Sequence, residues 1–297
     1  MFYSKITKKN ISYINFLPFP IYEVKKWRIC IVIYIMIVLL KVNRRYRYFF
    51  SFFVIFLLNY IKLFIMKITF ISDTHTYMYD SNYKELILPE GDILCFSGDI
   101  MSSGYNEGEL IHFLKWFSKQ PFRYKIFIAG NHDRYLENHS LLVDDIISQY
   151  KDSGVVYLKN TSFDIDGIKF YGTPHQPHFG SWAFNVPDYS KLVNIYNNIP
   201  DDTDVLLTHC PPYGILDQSH RPNYSNPTGE EHLGSMELKE VLAAKYHCGS
   251  LPRVVAFGHI HGDGGKQLQI EDTLYINASL CDENYDPVNN IVTIDFT

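Results

Sequence analysis

From Met66 onward the chain alternates short apolar runs with longer stretches of helical period. Five runs stand out: KITFIS, DILCFS, KIFIA, DVLLT and VVAF. Each is continuously apolar rather than alternating, the pattern of strands covered on both faces. Between them, Asn106–Gln120 sets Leu110, Phe113, Leu114 and Phe117 on one helical face, and Leu141–Lys151, Tyr189–Ile199 and Ser235–Tyr246 follow the same logic. Turns at Asp166-Gly167 and Glu271-Asp272 predict two hairpins. Strands alternating with helices, followed by hairpins, predict one α/β domain with a sheet core and helices outside.

Every one of the five runs ends in a polar cluster. In order these are Asp73-Thr74-His75, Gly98-Asp99, Gly130-Asn131-His132-Asp133, His209, and Gly258-His259-Ile260-His261. The C-terminal rim of a sheet is where open α/β folds bind ligands, and strand ends hold side chains rigidly around one point. Imidazole nitrogens mixed with carboxylate and amide oxygens suit Mn, Fe, Zn or Co, and disfavour a cysteine-type structural zinc. The set exceeds what one open catalytic ion needs, and it suffices for two ions sharing a carboxylate. Two ions about 3.5–4 Å apart lower the pKa of a shared water and clamp both oxygens of a phosphoryl transfer.

Composition divides the chain. Residues 1–65 carry 11 of the 27 Lys and Arg and a single acid, Glu23, so the remainder is strongly acidic, with 16 basic and 31 acidic residues. Such a body is a poor binder of nucleic acid. The boundary separates a basic hydrophobic extension, 1–65, from the folded domain, 66–297. Ile29–Leu40 is too short for a membrane span, whereas Tyr48–Met66 is long enough, with Lys62 placed to snorkel. No small-residue cleavage site precedes the first alanine, Ala129, which speaks against a secretory signal. Three readings of the extension stand: upstream translation with the functional start at Met66, a membrane anchor, and a core extension, weighed in that order. The five cysteines form no C-x-x-C pair, as expected in a reducing, cytoplasmic setting. An anchor would place the same domain at a membrane instead.

Taken in order, SDTH, SGDI, AGNHD, LTHCPP and FGHIH give D-x-H, G-D, G-N-H-D, H and G-H-x-H. The pattern resembles the calcineurin-like metallophosphoesterases over about Met66 to Thr297. YKIFIAGNHD, YGTPHQPHFGSWAFN, LLTHCPPYGILD and LYINASLCD are similar to a smaller branch, the metallophosphoesterase-domain proteins likened to class III cyclic nucleotide phosphodiesterases. The resemblance implies a four-layer fold, a two-sheet β-sandwich core flanked by helices. It implies two divalent or trivalent ions (Mn, Fe or Zn, with Mn favoured). Asp73, His75, Asp99 and His261 would hold one ion, Asn131, His209 and His259 the other, and Asp99 would bridge. His132 would be the acid that serves the leaving oxygen. The implied substrate is a small phosphodiester, a cyclic nucleotide first. The alternatives are a general phosphomonoesterase and a nucleotide-binding scaffold of low activity.

One departure matters. Many relatives have a further Asp or Asn soon after G-D, and GDIMSSGY has none, which leaves the partner of His132 open with Asp133 as a candidate. In PHQPHFGSWAFN, His175, His178 and Trp182 are candidate substrate contacts, beside the reading of a rigid surface loop. Asn277 either touches the site or satisfies backbone groups at a strand end. Arg134 reads as a solvated arginine, and Gln218–Gly234 as a lid or a long loop.

Overall fold

The computed structural model describes residues 65–77, 86–222, 227 and 229–297. The readings of the N-terminal extension up to residue 64, and part of Gln218–Gly234, lie outside them. Among the described residues no helix is long and apolar enough to cross a membrane.

The apolar runs divide between two sheets. β1 (Met66–Ile71), β2 (Ile93–Ser97), β3 (Tyr124–Ile128) and β4 (Val155–Tyr157) pair in parallel. β5 (Thr161–Ile165) and β6 (Ile168–Thr173) form a hairpin that begins the second sheet. β7 (Val205–Thr208) and β8 (Val254–Phe257) follow in parallel, then the hairpin of β9 (Gln267–Ile270) and β10 (Thr273–Asn277). The last strand, β11 (Val292–Phe296), returns to the first sheet and pairs antiparallel with β1. The orders are β11-β1-β2-β3-β4 and β9-β10-β8-β7-β6-β5.

Strand period explains why these runs are apolar throughout. Successive side chains point to opposite faces. On β2, Ile93 and Cys95 join Ile68, Phe70 and Ile126 of the first sheet and Phe170, Val205, Leu207 and Ala256 of the second in one buried cluster between the sheets. Leu94 and Phe96 face the other way, into Leu110, Phe113, Leu114 and Phe117 of α1 (Glu107–Phe117). On the second sheet, Leu206, Val255 and Phe257 pack against helices further along the chain. Both faces of each sheet are therefore core, and burying one such Leu, Val or Phe side chain stabilises the fold by about 1.5–3 kcal/mol. The four layers implied by the resemblance are the layers present: helices, sheet, sheet, helices.

Helix starts follow local chemistry. Asn106 accepts the Gly108 N–H at the head of α1. After α2 (Arg134–Asn138) and α3 (Ser140–Ser148) on the first face come α4 (Tyr189–Asn197), capped by Asp188, and α5 (Met236–His247), capped by Ser235. The β5–β6 hairpin turns through Asp166 and Gly167 at φ 53° and 83°, the double left-handed geometry a two-residue turn demands. No sequence pattern singles out β4, β11 or the five-residue α2. The first two are edge strands of partly exposed pattern, and α2 is too short to show a period.

Candidate metal centre

The C-terminal ends of β1, β2 and β3 from one sheet and of β7 and β8 from the other meet at one rim. The backbone there is bent hard. Asp73, His75, Asp99 and His259 lie at φ 49°, 42°, 56° and 68°. Such conformations cost a non-glycine residue about 1–3 kcal/mol each and persist where surrounding structure enforces them. The enforcing bonds are visible: Asp73 N–H donates to Gly98 O at 3.0 Å, and both Thr74 and His75 N–H donate to Asp99 O at 3.2 Å. His259 N–H donates to the Asp73 carboxylate at 3.0 Å. The motif glycines are explained by closeness: a Cβ at Gly258 would collide with Asp73 Oδ2, and one at Gly130 with Asp99 Oδ1.

The side chains gather into two groups, Asp73–His75–His261 and Asp99–His209–His259, and a third, His75–Asp99–His132, shares a residue with each; within every group the donor atoms lie within 4.8 Å of one another. Asn131 joins the second, its Oδ1 2.8 Å from His209 Nε2. Main-chain carbonyls aim the rings. His209 Nδ1 donates to Ser97 O and His261 Nδ1 to Asp282 O, both at 2.8 Å, which leaves each Nε2 turned inward. His75 Nε2 stands 3.3 Å from His261 Nε2, which is itself 3.3 Å from Asp73 Oδ1. Two imidazole nitrogens and a carboxylate converging on one point form a donor set that a cation satisfies, so the residues fit a metal ion.

Electrostatics sorts the imidazoles. Burial lowers His75 to about 4 and His259 to about 3, leaving both neutral at pH 7. Burial opposes charge on His209 as well, yet the Asp99 carboxylate outweighs it and lifts that ring to about 9. His261 is also raised, by Asp73 against burial. A ring that carries its Nε2 proton at neutral pH must lose it to ligate. Mn(II) binding is therefore expected to release protons at pH 7, and apparent affinity to climb by about tenfold per pH unit for each proton displaced. The climb should level off near the His209 value of about 9. Calorimetry in two buffers of different ionisation enthalpy reads the release; identical heats in both would show that His209 does not ligate.

His132, in the group that links the other two, has its Nδ1 bonded to Ser102 O, which leaves Nε2 for chemistry. The orienting partner is thus a main-chain carbonyl, and Asp133 has another task. Asp133 is fully buried, and its carboxylate accepts N–H bonds from Gly130 (2.7 Å), Met101 (2.9 Å), Asp99 (3.0 Å) and Ile100 (3.4 Å). It ties the G-D loop to the G-N-H-D loop. Burial, and then the Asp99 charge, push its pKa up, against the backbone amides that favour the carboxylate.

A cleft of about 190 Å³ opens over the clusters. Trp182 lines it and stacks on His132 with ring centres 4.1 Å apart. His175 and His178 are not among its lining residues. His175 is half-buried against Asn160 and Phe184 and lowered to about 4 by burial, whereas His178 is exposed. Arg134 lies between Tyr105 and Trp182, 4.9 and 4.8 Å from their ring centres, and supports the Trp182 stack from outside the cleft. Asn277 serves the backbone, donating to Leu216 O and Ile260 O and so fixing the G-H-x-H turn. The ends of the 218–234 segment pair, Gln218–Ser219 with Glu231–His232, and Ser219, Arg221 and Leu233 wall the cleft. Phe179, Glu283 and Tyr285 complete the lining. Phe179 falls within PHQPHFGSWAFN, and no motif points to Glu283 or Tyr285, because loop geometry rather than spacing brings them here.

A model of the calcineurin-like phosphoesterase family matches residues 66–263, which contain every ligand candidate. The chain belongs to that family. Metallophosphoesterase domain-containing protein 1 of Homo sapiens and its counterpart in Mus musculus are each 32% identical over 245 residues, covering 76% of this chain and 69% of theirs. A probable rhamnogalacturonate lyase C of Emericella nidulans is 35% identical over 231 residues, covering 75% of this chain and 19% of that protein. The solved structure of TT1561 of Thermus thermophilus superposes with a TM-score of 0.48 at 12% identity, over 78% of this chain and 99% of that one. Calcineurin-like phosphoesterases are hydrolases with a dinuclear metal site, and the two groups at the rim are this chain's candidate ligands for it.

Proposed function

We propose that this phosphoesterase hydrolyses a small phosphodiester, a cyclic nucleotide first, at two metal ions with manganese favoured. Asp73, His75, Asp99 and His261 would hold one ion, and Asn131, His209 and His259 the other with Asp99 shared. The observation that carries the reading is Asp99 itself, its Oδ2 3.9 Å from His75 Nε2 and its Oδ1 3.4 Å from His209 Nε2. When bound, two ions supply Lewis acidity to the phosphoryl oxygens and a water of lowered pKa.

The chain's own groups do the rest. With its Nδ1–H held by Ser102 O, His132 in its doubly protonated form would give the Nε2 proton to the leaving oxygen and be left as the neutral Nδ1–H imidazole. The Trp182 stack and the Arg134 contact beyond it keep that ring from turning. The acidity of the body, 16 basic against 31 acidic residues beyond position 65, favours a small substrate over nucleic acid. Free cysteines at 95, 210, 248 and 281 support a reducing, cytoplasmic setting.

The test is a hydrolysis panel with Mn(II) and then with chelator. It holds cyclic nucleotides closed through either pair of ribose hydroxyls, an aryl phosphodiester and an aryl phosphomonoester. Turnover that needs metal and is highest on a cyclic nucleotide is expected, with kcat about 10²–10⁴-fold lower in His132→Ala. Highest turnover on the monoester would make the protein a phosphomonoesterase. Tight nucleotide binding without turnover would make it a scaffold.

A further inference from the structure

Two aromatic side chains in the cleft, Phe179 and Tyr285, have no part in that chemistry. Trp182 is already engaged, its ring carrying His132 and Arg134. Phe179 and Tyr285 are instead 60% and 47% exposed, so ring surface on each is open to a ligand. Each stands by a different cluster: Phe179 has its ring centre 6.4 Å from that of His259, and Tyr285 is 4.8 Å from His75 and 5.3 Å from His261.

Neither is a loose surface residue. One amide, Asn185, pins the Phe179 loop with three bonds, accepting the Phe179 N–H and donating to Phe179 O and Gly180 O. Tyr285 is held at φ 66°, and a turn built on Asp282 enforces that conformation. Asp282 Oδ1 accepts the Asn284 and Asp286 N–H groups at 2.8 and 3.0 Å, and Asp282 O accepts the Tyr285 N–H at 2.9 Å. The same Asp282 carbonyl aims His261, so the turn that sets a ligand also sets the ring over it. Backbone strain maintained to display a ring toward a cleft points to a ligand for the ring.

We propose that Phe179 and Tyr285 form the subsite for the organic group of the ester, and select esters whose organic group carries a flat aromatic or heterocyclic ring. The inference rests on phosphoesters binding at the two clusters. A flat ring buries its faces against aromatic walls and gains both area and offset stacking, which an alkyl group of the same charge does not.

The experiment compares phenylphosphonate with methylphosphonate, two non-hydrolysable probes of equal charge, binding to the full chain loaded with Mn(II). Calorimetry should give at least about tenfold tighter binding of the phenyl probe. Phe179→Ala and Tyr285→Ala should each reduce that ratio severalfold, and Phe179→Trp and Tyr285→Phe should keep it. Equal affinity for the two probes in the wild type, or a ratio unmoved in both alanine variants, would overturn the subsite. Because the ratio is read without turnover, a silent hydrolysis panel would remove the proposed reaction and leave this result to be judged separately.

Discussion

Asp99→Asn is expected to lower bound Mn(II) from two ions per chain to less than one, and to reduce turnover by about 10³-fold or more. The size follows from the proposed role of Asp99 as a shared charged ligand, since metal stabilisation of a phosphoryl transition state is worth several kcal/mol and each 1.4 kcal/mol is tenfold. Asparagine is the right substitution because it separates charge from fold. Asp99 lies at φ 56°, a conformation asparagine adopts more readily than most residues. The amide oxygen still accepts the His132 N–H that Asp99 Oδ1 now accepts at 2.7 Å. What disappears is the negative charge shared by His75 and His209. Metal content by mass spectrometry, read beside an unchanged thermal midpoint of the two metal-free proteins, checks the expectation. A variant that keeps two ions and a tenth of the rate would refute the bridge.

Asp133→Ala is expected to act on the fold first and on the metals as a consequence. Four backbone N–H groups from two loops converge on this one carboxylate, and the residue is fully buried. Truncation leaves those donors without partners in the interior, at a cost of about 3–5 kcal/mol, since each unsatisfied buried group costs about 1–3 kcal/mol. Urea denaturation should show the midpoint falling with little change in slope. A loss below about 1 kcal/mol would mean that water replaces the carboxylate, and that the two loops are held elsewhere.

The site candidates, seven for metal and His132 as the acid, were legible because each is a side chain of distinctive chemistry attached to the end of an apolar run. Asp73, His75, Asp99, Asn131, His132, His209, His259 and His261 are scattered over nearly 190 positions of the chain, and the sheet rim gathers them. The four-layer sandwich came from the family resemblance, while continuous apolar runs already required cover on both faces. What stayed hidden has physical reasons. Ser102 orients His132 through a carbonyl that every residue possesses, so no residue type announces it. Asp133 looked like a partner for the neighbouring imidazole, but its oxygens turn the opposite way, toward amides. His175 and His178 shared a loop with Trp182, yet of these three candidates only the tryptophan reaches the cleft. Phe179 and Tyr285 are ordinary aromatics in sequence, and only the turns at Asn185 and Asp282 give them a direction.

The main-chain aiming of His209, His261 and His132 has an evolutionary consequence. Ser97, Ser102 and Asp282 hold these rings by the one atom group that no codon change can remove. A point mutation at any of the three swaps a side chain and leaves the oxygen in place. Ring orientation is thereby insulated from single-residue drift, while the ligands themselves remain exposed to it. Re-aiming the site, toward a different ion or a different ester, would instead demand insertions or deletions that shift a whole loop. Laboratory selection by point mutagenesis alone should accordingly retune the walls of the cleft long before it moves its floor.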